Sequence, residues 1–170
     1  MTPRTLVTTI PEEAAAFYKA CGRKVIFKSL SSTRSIVRRM DKRDMARLDR
    51  LRNCPTQFQE CVEGVDIRVH TVGDEVFATE IESEASDYRY AGRQGASLET
   101  RAIEIPPEIS QACIGMARSL GLELAGIDLR RAPDGRWYCF EVNPSPGFIF
   151  YERSTGQPIS EAVARRLRGA

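Results

Sequence analysis

Asp128, Glu141 and Asn143 flank the turn signal Asp134-Gly135. With a two-residue turn there, Asp128 faces Glu141 across a hairpin and Gly126 faces Asn143. Strand alternation then puts Asp128, Arg130, Glu141 and Asn143 on one face, and Ile127, Leu129, Phe140 and Val142 on the other. Two carboxylates opposite each other repel unless a cation lies between them. Two carboxylates and an amide form a hard, all-oxygen set that suits Mg²⁺ or Mn²⁺ completed by phosphate oxygens and water. The plainer reading, a surface hairpin with scattered acids, leaves that register unexplained.

The elements that must carry these residues are legible from local signals. Pro11-Glu12-Glu13 opens an alanine-rich helix that stops at Gly22. Lys24–Lys28 reads as a buried strand. Asp41–Arg52 has Met45, Leu48 and Leu51 at helical spacing, ahead of Asn53 and Pro55. From Gln57 the pattern turns to period two, with a hairpin around Gly73-Asp74: Ile67, Val69 and Thr71 precede it, and Val76, Ala78 and Glu80 follow. Residues 83–100 read as a polar loop and Arg101–Ile105 as a short strand. Pro107–Leu120 reads as an amphipathic helix stopped by Gly121. Strands at 124–131 and 136–142, a Pro/Gly-rich loop at 143–147 and a helix near 159–168 complete the pattern.

Composition narrows the chemistry. The chain has 170 residues, 25 Lys plus Arg against 23 Asp plus Glu, and 42% hydrophobic residues. That is enough for a core, with no general positive charge to hold nucleic acid or a membrane surface. No run is long enough to span a bilayer, and no signal-peptide core opens the chain. The cysteines at 21, 54, 61, 113 and 139 have neither zinc-ligand nor CxxC spacing, which fits reduced thiols in the cytoplasm. His70 is the only histidine, which argues against a Ser–His–Asp triad and a His-based metal site; it reads as structural. Charge is nonetheless uneven. Residues 34–52 carry eight Lys/Arg against three Asp, and 71–88 carry six acids and no base. The first segment reads as a solvated helix face, an anion-binding wall or a nucleic-acid patch. No aromatic residues interleave with it, so base stacking is unsupported. The second reads as a solvated sheet edge.

Gly126-Ile127-Asp128 followed by Glu141-Val142-Asn143-Pro144-Ser145-Pro146-Gly147 resembles the ATP-grasp superfamily, and within it the RimK-like peptide and amino-acid ligases. The likeness covers most of residues 3–168. It implies an α/β (α+β) ATP-grasp fold, in which two small sheet-plus-helix subdomains sandwich a nucleotide. They are expected at 1–58, with the lysine strand and basic helix, and at 59–170, with the metal hairpin. By this resemblance Asp128 and Asn143 each hold Mg²⁺ and Glu141 bridges two ions. Lys28 sits where the family places a lysine on the phosphates. Gln59-Glu60-Cys61-Val62-Glu63-Gly64-Val65-Asp66 looks like the hinge over adenine: the backbone of Glu60 and Val62 would read the base, and Asp66 would bond the ribose. Gln59 joins this nucleotide-binding set. Asp87-Tyr88-Arg89-Tyr90 resembles the substrate-side arginine segment of ligases that modify ribosomal peptides, and Arg68, Arg89 and Arg130 are the candidate catalytic cations. Read singly, Lys28 is a snorkelling surface residue, Asp66 and Arg68 a same-face ion pair, and Arg89 a partner of nearby acids. The loop after Lys28, Ser29–Ser35, has no glycine and offers hydroxyls and Arg34 as donors.

The resemblance implies a cytoplasmic ATP- and Mg-dependent (or Mn-dependent) carboxylate–amine ligase with an acyl-phosphate intermediate. Its substrates would be a small-molecule or peptide carboxylate and an amine. Relatives carry a preceding domain that this chain is expected to lack, so the acceptor site would need that domain or self-association. The alternative is a non-catalytic nucleotide-binding or interaction module derived from such a ligase.

Overall fold

Two antiparallel sheets face one another. The computed structural model describes residues 1–31, 37–83 and 98–169. The smaller sheet runs β1 (Thr5–Thr8), β4 (Thr56–Glu60), β2 (Val25–Ser29) and β3 (Arg38–Arg39) in spatial order. The larger runs β7 (Leu98–Ile103), β6 (Glu75–Ser83), β5 (Val65–Val72), β8 (Leu124–Arg131) and β9 (Trp137–Asn143). Helix α1 (Pro11–Ala20) begins with proline and two acids, as its sequence requires, and its Ala14 packs with Val25 and Phe58 of the small sheet. Helix α3 (Pro107–Ser119) presses Cys113 and Ala117 onto Ile67, Val69, Ala125 and Ile127, one face of the large sheet. On the opposite face, α4 (Ile149–Thr155) and α5 (Ile159–Leu167) bring Tyr151, Ile159 and Ala162 against Val72 and Phe77. Among the described residues, no helix is long and apolar enough to cross a membrane.

Several local expectations are corrected. The segment 41–52 is not one helix. Asp41 closes a capping box on the single turn α2 (Lys42–Met45), and a 3₁₀ helix follows over Leu48–Asn53. Met45, Leu48 and Leu51 recur every three residues, which matches the 3₁₀ repeat better than 3.6. β7 starts three residues before the expected Arg101, so only 84–97 of the expected loop at 83–100 lies outside the described residues. β6 is an interior strand, so the described part of the acid-rich stretch is not a sheet edge. Its Glu80 is buried and paired with Arg101 and Arg131. β4 runs through the expected division at 58, and the chain crosses between sheets at Cys61–Gly64. There Gly64 has φ +148°, and a Cβ would meet the Arg131 backbone. β1, β3 and α4 have no counterpart among the expected elements.

The β8–β9 hairpin carries two compensating departures. Ala132 N–H donates to Arg136 O at 2.8 Å, so the turn holds three residues, Pro133-Asp134-Gly135, with Gly135 at φ +83°. This shifts the pairing near the turn: Leu129 faces Cys139, and Arg130 faces Tyr138. A bulge between Asp128 and Leu129 shifts it back, and Asp128 faces Glu141 and Gly126 faces Asn143. The bulge also turns Phe140 out of the expected apolar face. Phe140 packs with Val62 and Tyr138 and lies under Arg130, whose Cζ is 5.2 Å from its ring centroid.

Candidate functional site

A cleft of about 410 Å³ opens between the sheets. Strand parity decides what lines it. On β4, Phe58 points into the α1 core, so Gln57 and Gln59 point into the cleft. Lys28, half-buried at the end of β2 and paired with Gln57, joins them. The crossing contributes Val62, and the large sheet contributes Asp66, Asp128, Arg130 and Glu141. Glu60 does not line the cleft. It has the parity of Phe58, donates its backbone N–H to Arg4 O at 2.9 Å, and pairs its carboxylate with Arg4. That Arg4 hydrogen bond holds the Glu60 carboxyl below its usual range.

Asp66, Asp128 and Arg130 line the floor of the cleft. They form an ionic square on β5 and β8 with Arg68, which is buried beside the cleft and does not line it. Asp66 faces Arg130 and Arg68 faces Asp128 in the register. Arg130 donates Nε and Nη2 to the two oxygens of Asp66 at 2.7 and 2.8 Å, a bidentate fork, and Nη1 to Val62 O at 2.7 Å. Arg68 Nη1 donates to Asp128 Oδ1 at 2.6 Å. The pairs therefore run across strands, whereas the simple reading had Asp66 paired with Arg68 along one strand. β5 is not an exposed strand either: the Arg68 side chain is 7% exposed. Ion pairs with this little solvent gain little net stability, because desolvation opposes the attraction. Such an arrangement is better suited to organising charge than to stabilising the sheet.

Glu141 is exposed and faces Asp128, whose own charge is paired with the Arg68 guanidinium. Asn143 shapes the following loop, its Oδ1 accepting from Ser145 N–H at 2.9 Å. The chemistry of this donor set fits Mg²⁺: two carboxylates and an amide oxygen with a second lone pair, on neighbouring strands. Among the described residues no three His, Cys, Asp or Glu side chains gather at metal-binding distance. An ion here would therefore rely on the Asn143 amide and on substrate and water oxygens, which is how Mg²⁺ is usually held.

Behind the square, His70 is wholly buried. Burial lowers its pKa to about 4, with nearby Arg68 adding to the shift and the Gly147 backbone opposing it, so the imidazole stays neutral at physiological pH. Arg89 with its Asp87–Tyr90 segment, and Ser32–Ser35 with Arg34, lie outside the described residues. Sequence reasoning did not select Gln57 or Phe140 for the cleft. Gln57 carried a signal, two positions before Gln59 on a period-two strand.

A model of the RimK-like ATP-grasp domain matches residues 1–167. The chain is 36% identical, over 104 residues, to the ribosomal protein bS6–L-glutamate ligase of Escherichia coli O81 (strain ED1a), covering 61% of this chain and 34% of that one. Among solved structures, it resembles the ATP-grasp ligase PsnB complexed with a phosphomimetic variant of its minimal precursor, Mg and ADP. That match has a TM-score of 0.82 at 29% identity and covers 96% of this chain and 53% of the other. The macrocyclase MdnC bound with precursor peptide MdnA, from Microcystis aeruginosa MRC, matches with a TM-score of 0.86 at 25% identity, covering 100% and 56%. The chain thus spans about a third of the curated relative and about half of the solved ones.

Proposed function

The chain belongs to the RimK-like ATP-grasp family, and from that premise we propose that it is the nucleotide- and metal-binding part of a cytoplasmic ATP-dependent carboxylate–amine ligase acting on a peptide or amino acid. The observation that carries this reading is the cleft itself. Lys28 on one sheet opposes Asp128 and Glu141 on the other, with Asp66 and Arg130 beside them on the floor.

Asp128, Glu141 and Asn143 would hold two Mg²⁺ ions, with Glu141 between them. The metal, when bound, neutralises charge on the transferred phosphoryl group. Lys28 meets the phosphates from the small sheet. Gln59 and the Val62 backbone border the base, and Asp66, fixed by the Arg130 fork, faces the ribose hydroxyls. Arg68 supplies preorganised positive charge beside Asp128, where the acyl phosphate forms, Arg130 acts by holding Asp66, and Arg89 is assigned to the acceptor side. No side-chain nucleophile is required: phosphate leaves when the amine attacks the acyl carbon.

The test is ADP formation by the chain with Mg²⁺ and candidate peptide carboxylates and amines. Mg-dependent ADP release that rises with an acceptor supports a ligase. Nucleotide binding without ADP release under any acceptor supports the interaction module instead. Adding a preceding domain, or raising protein concentration, should increase turnover if the acceptor site is shared with another domain or a second copy.

A further inference from the structure

Arg68 reaches Asp128 through a niche built by three separate segments. Directly across from His70 on β8 lies Gly126, whose missing side chain is required: a Cβ there would lie 2.7 Å from Arg68 Cζ and 2.5 Å from Pro146 Cβ. Pro146, from the loop that follows Asn143, therefore presses on the same point as the guanidinium. The third wall is Tyr151 of α4, 9% exposed, with its ring centroid 5.8 Å from Arg68 Cζ. The Tyr151 ring is fixed in turn by His70 at 5.0 Å and by Phe150, edge-on, at 5.3 Å. A guanidinium held by one carboxylate can swing about its long stem. Against an aromatic face, with a glycine beside it, its plane and position are limited.

The geometry points to Tyr151 as a positioning residue for Arg68: with Gly126 and Pro146 it holds the guanidinium at the metal-side carboxylate. This rests on the proposed reading of Arg68 as a charge-stabilising cation beside the cleft. Tyr151 acts through Arg68 and touches no reacting group. The uncharged His70 suits this arrangement, since a second cation beside Arg68 would push the guanidinium away from the ring. The niche also links the loop after Asn143 to Arg68, since Pro146 and the guanidinium meet at Gly126.

The test uses the full chain and three variants, Tyr151→Phe, Tyr151→Leu and Arg68→Lys. In arginine side-chain NMR spectra, the Arg68 Nε–Hε resonance is identified by its disappearance in Arg68→Lys. It is expected to persist in Tyr151→Phe, which keeps the ring, and to be lost to solvent exchange in Tyr151→Leu while thermal melting shows that variant folded. Where Mg-dependent ADP formation is measurable, Tyr151→Leu should lower kcat by about ten- to a hundredfold with KM for ATP nearly unchanged. Tyr151→Phe should restore the rate, and Tyr151→Leu should add no further loss to Arg68→Lys. An Arg68 resonance unchanged in Tyr151→Leu overturns the proposal, as does equal loss in Tyr151→Phe and Tyr151→Leu. A wild-type chain that forms no ADP counts against the proposed function, whereas the Arg68 resonance still decides the role of Tyr151.

Discussion

The front face of the large sheet is two surfaces on the same strands. At one end β5, β6 and β8 offer Val72, Phe77 and Leu124 to α4 and α5, an apolar contact centred on the fully buried Ile159. At the other end, with the same strand parity, β5 and β8 offer Asp66, Asp128 and Arg130 to the cleft, with Arg68 buried beside them. The first end stabilises the fold by removing apolar area from water. The second gains little this way, because each buried or half-buried charge loses hydration that its partner merely offsets. The lesson is a division of labour along one strand: the helices anchor one end so that the other can hold charges in a fixed array.

The largest effect should come from the anchored end. Ile159→Ala should cost about 2–5 kcal/mol in urea or guanidinium unfolding, since it empties a site that is completely enclosed. A cost well below that range would mean that α5 contributes little and that the polar end is stabilised by something else.

The boundary between the two surfaces is pH-sensitive through His70. Its pKa falls from 6.5 to about 4 on folding, chiefly by burial. Between these values the unfolded chain binds a proton that the folded chain refuses, so stability is complete above about pH 6.5 and declines as pH drops toward 4. The loss at pH 5 should be about 2 kcal/mol. His70→Gln should flatten the melting curve between pH 6.5 and 5, where no other side chain has an ordinary pKa. An unchanged pH profile in His70→Gln would show that the imidazole is not buried as described.

The smallest stability change is expected at the polar end. Replacing the pair together, Arg68→Met with Asp128→Leu, should cost no more than about 1 kcal/mol, since an apolar pair escapes the desolvation penalty. The same double variant should lose Mg-dependent nucleotide binding. A large loss of stability would mean that the square is structural, and the contrast between the two ends would collapse.

How much of this was legible in the sequence follows the same division. Elements with local punctuation were readable: α1 from Pro11 to Gly22, α3 up to Gly121, and the Gly73-Asp74 hairpin. The opposition of Asp128 and Glu141 was also readable, though for an incomplete reason. The turn is one residue longer than its Asp-Gly signal suggests, and the bulge cancels the difference at the carboxylates but not at Phe140. Bulges depend on packing from distant segments and leave little local mark. α4 had a stop signal in Gly156, at φ +72°, but only seven residues of helix ahead of it. The burial of Arg68 was least legible. Charged residues are usually solvated, and only the structure brings Asp128, Gly126 and Tyr151 around it. Gly126 inside an apolar strand was the one available hint of a close approach.

The cleft is expected to hold Mg-nucleotide through the hairpin carboxylates. Calorimetric titration of ATP into the wild-type chain and Glu141→Gln, each with Mg²⁺ and with a chelator, tests it most directly. Glu141→Gln preserves shape and removes the exposed charge, so its melting temperature without metal should not fall. ATP binding should strengthen with Mg²⁺ in the wild type and lose that dependence in Glu141→Gln. Equal affinity with and without Mg²⁺ in the wild type, or an unaltered Mg²⁺ effect in a folded Glu141→Gln chain, would contradict it.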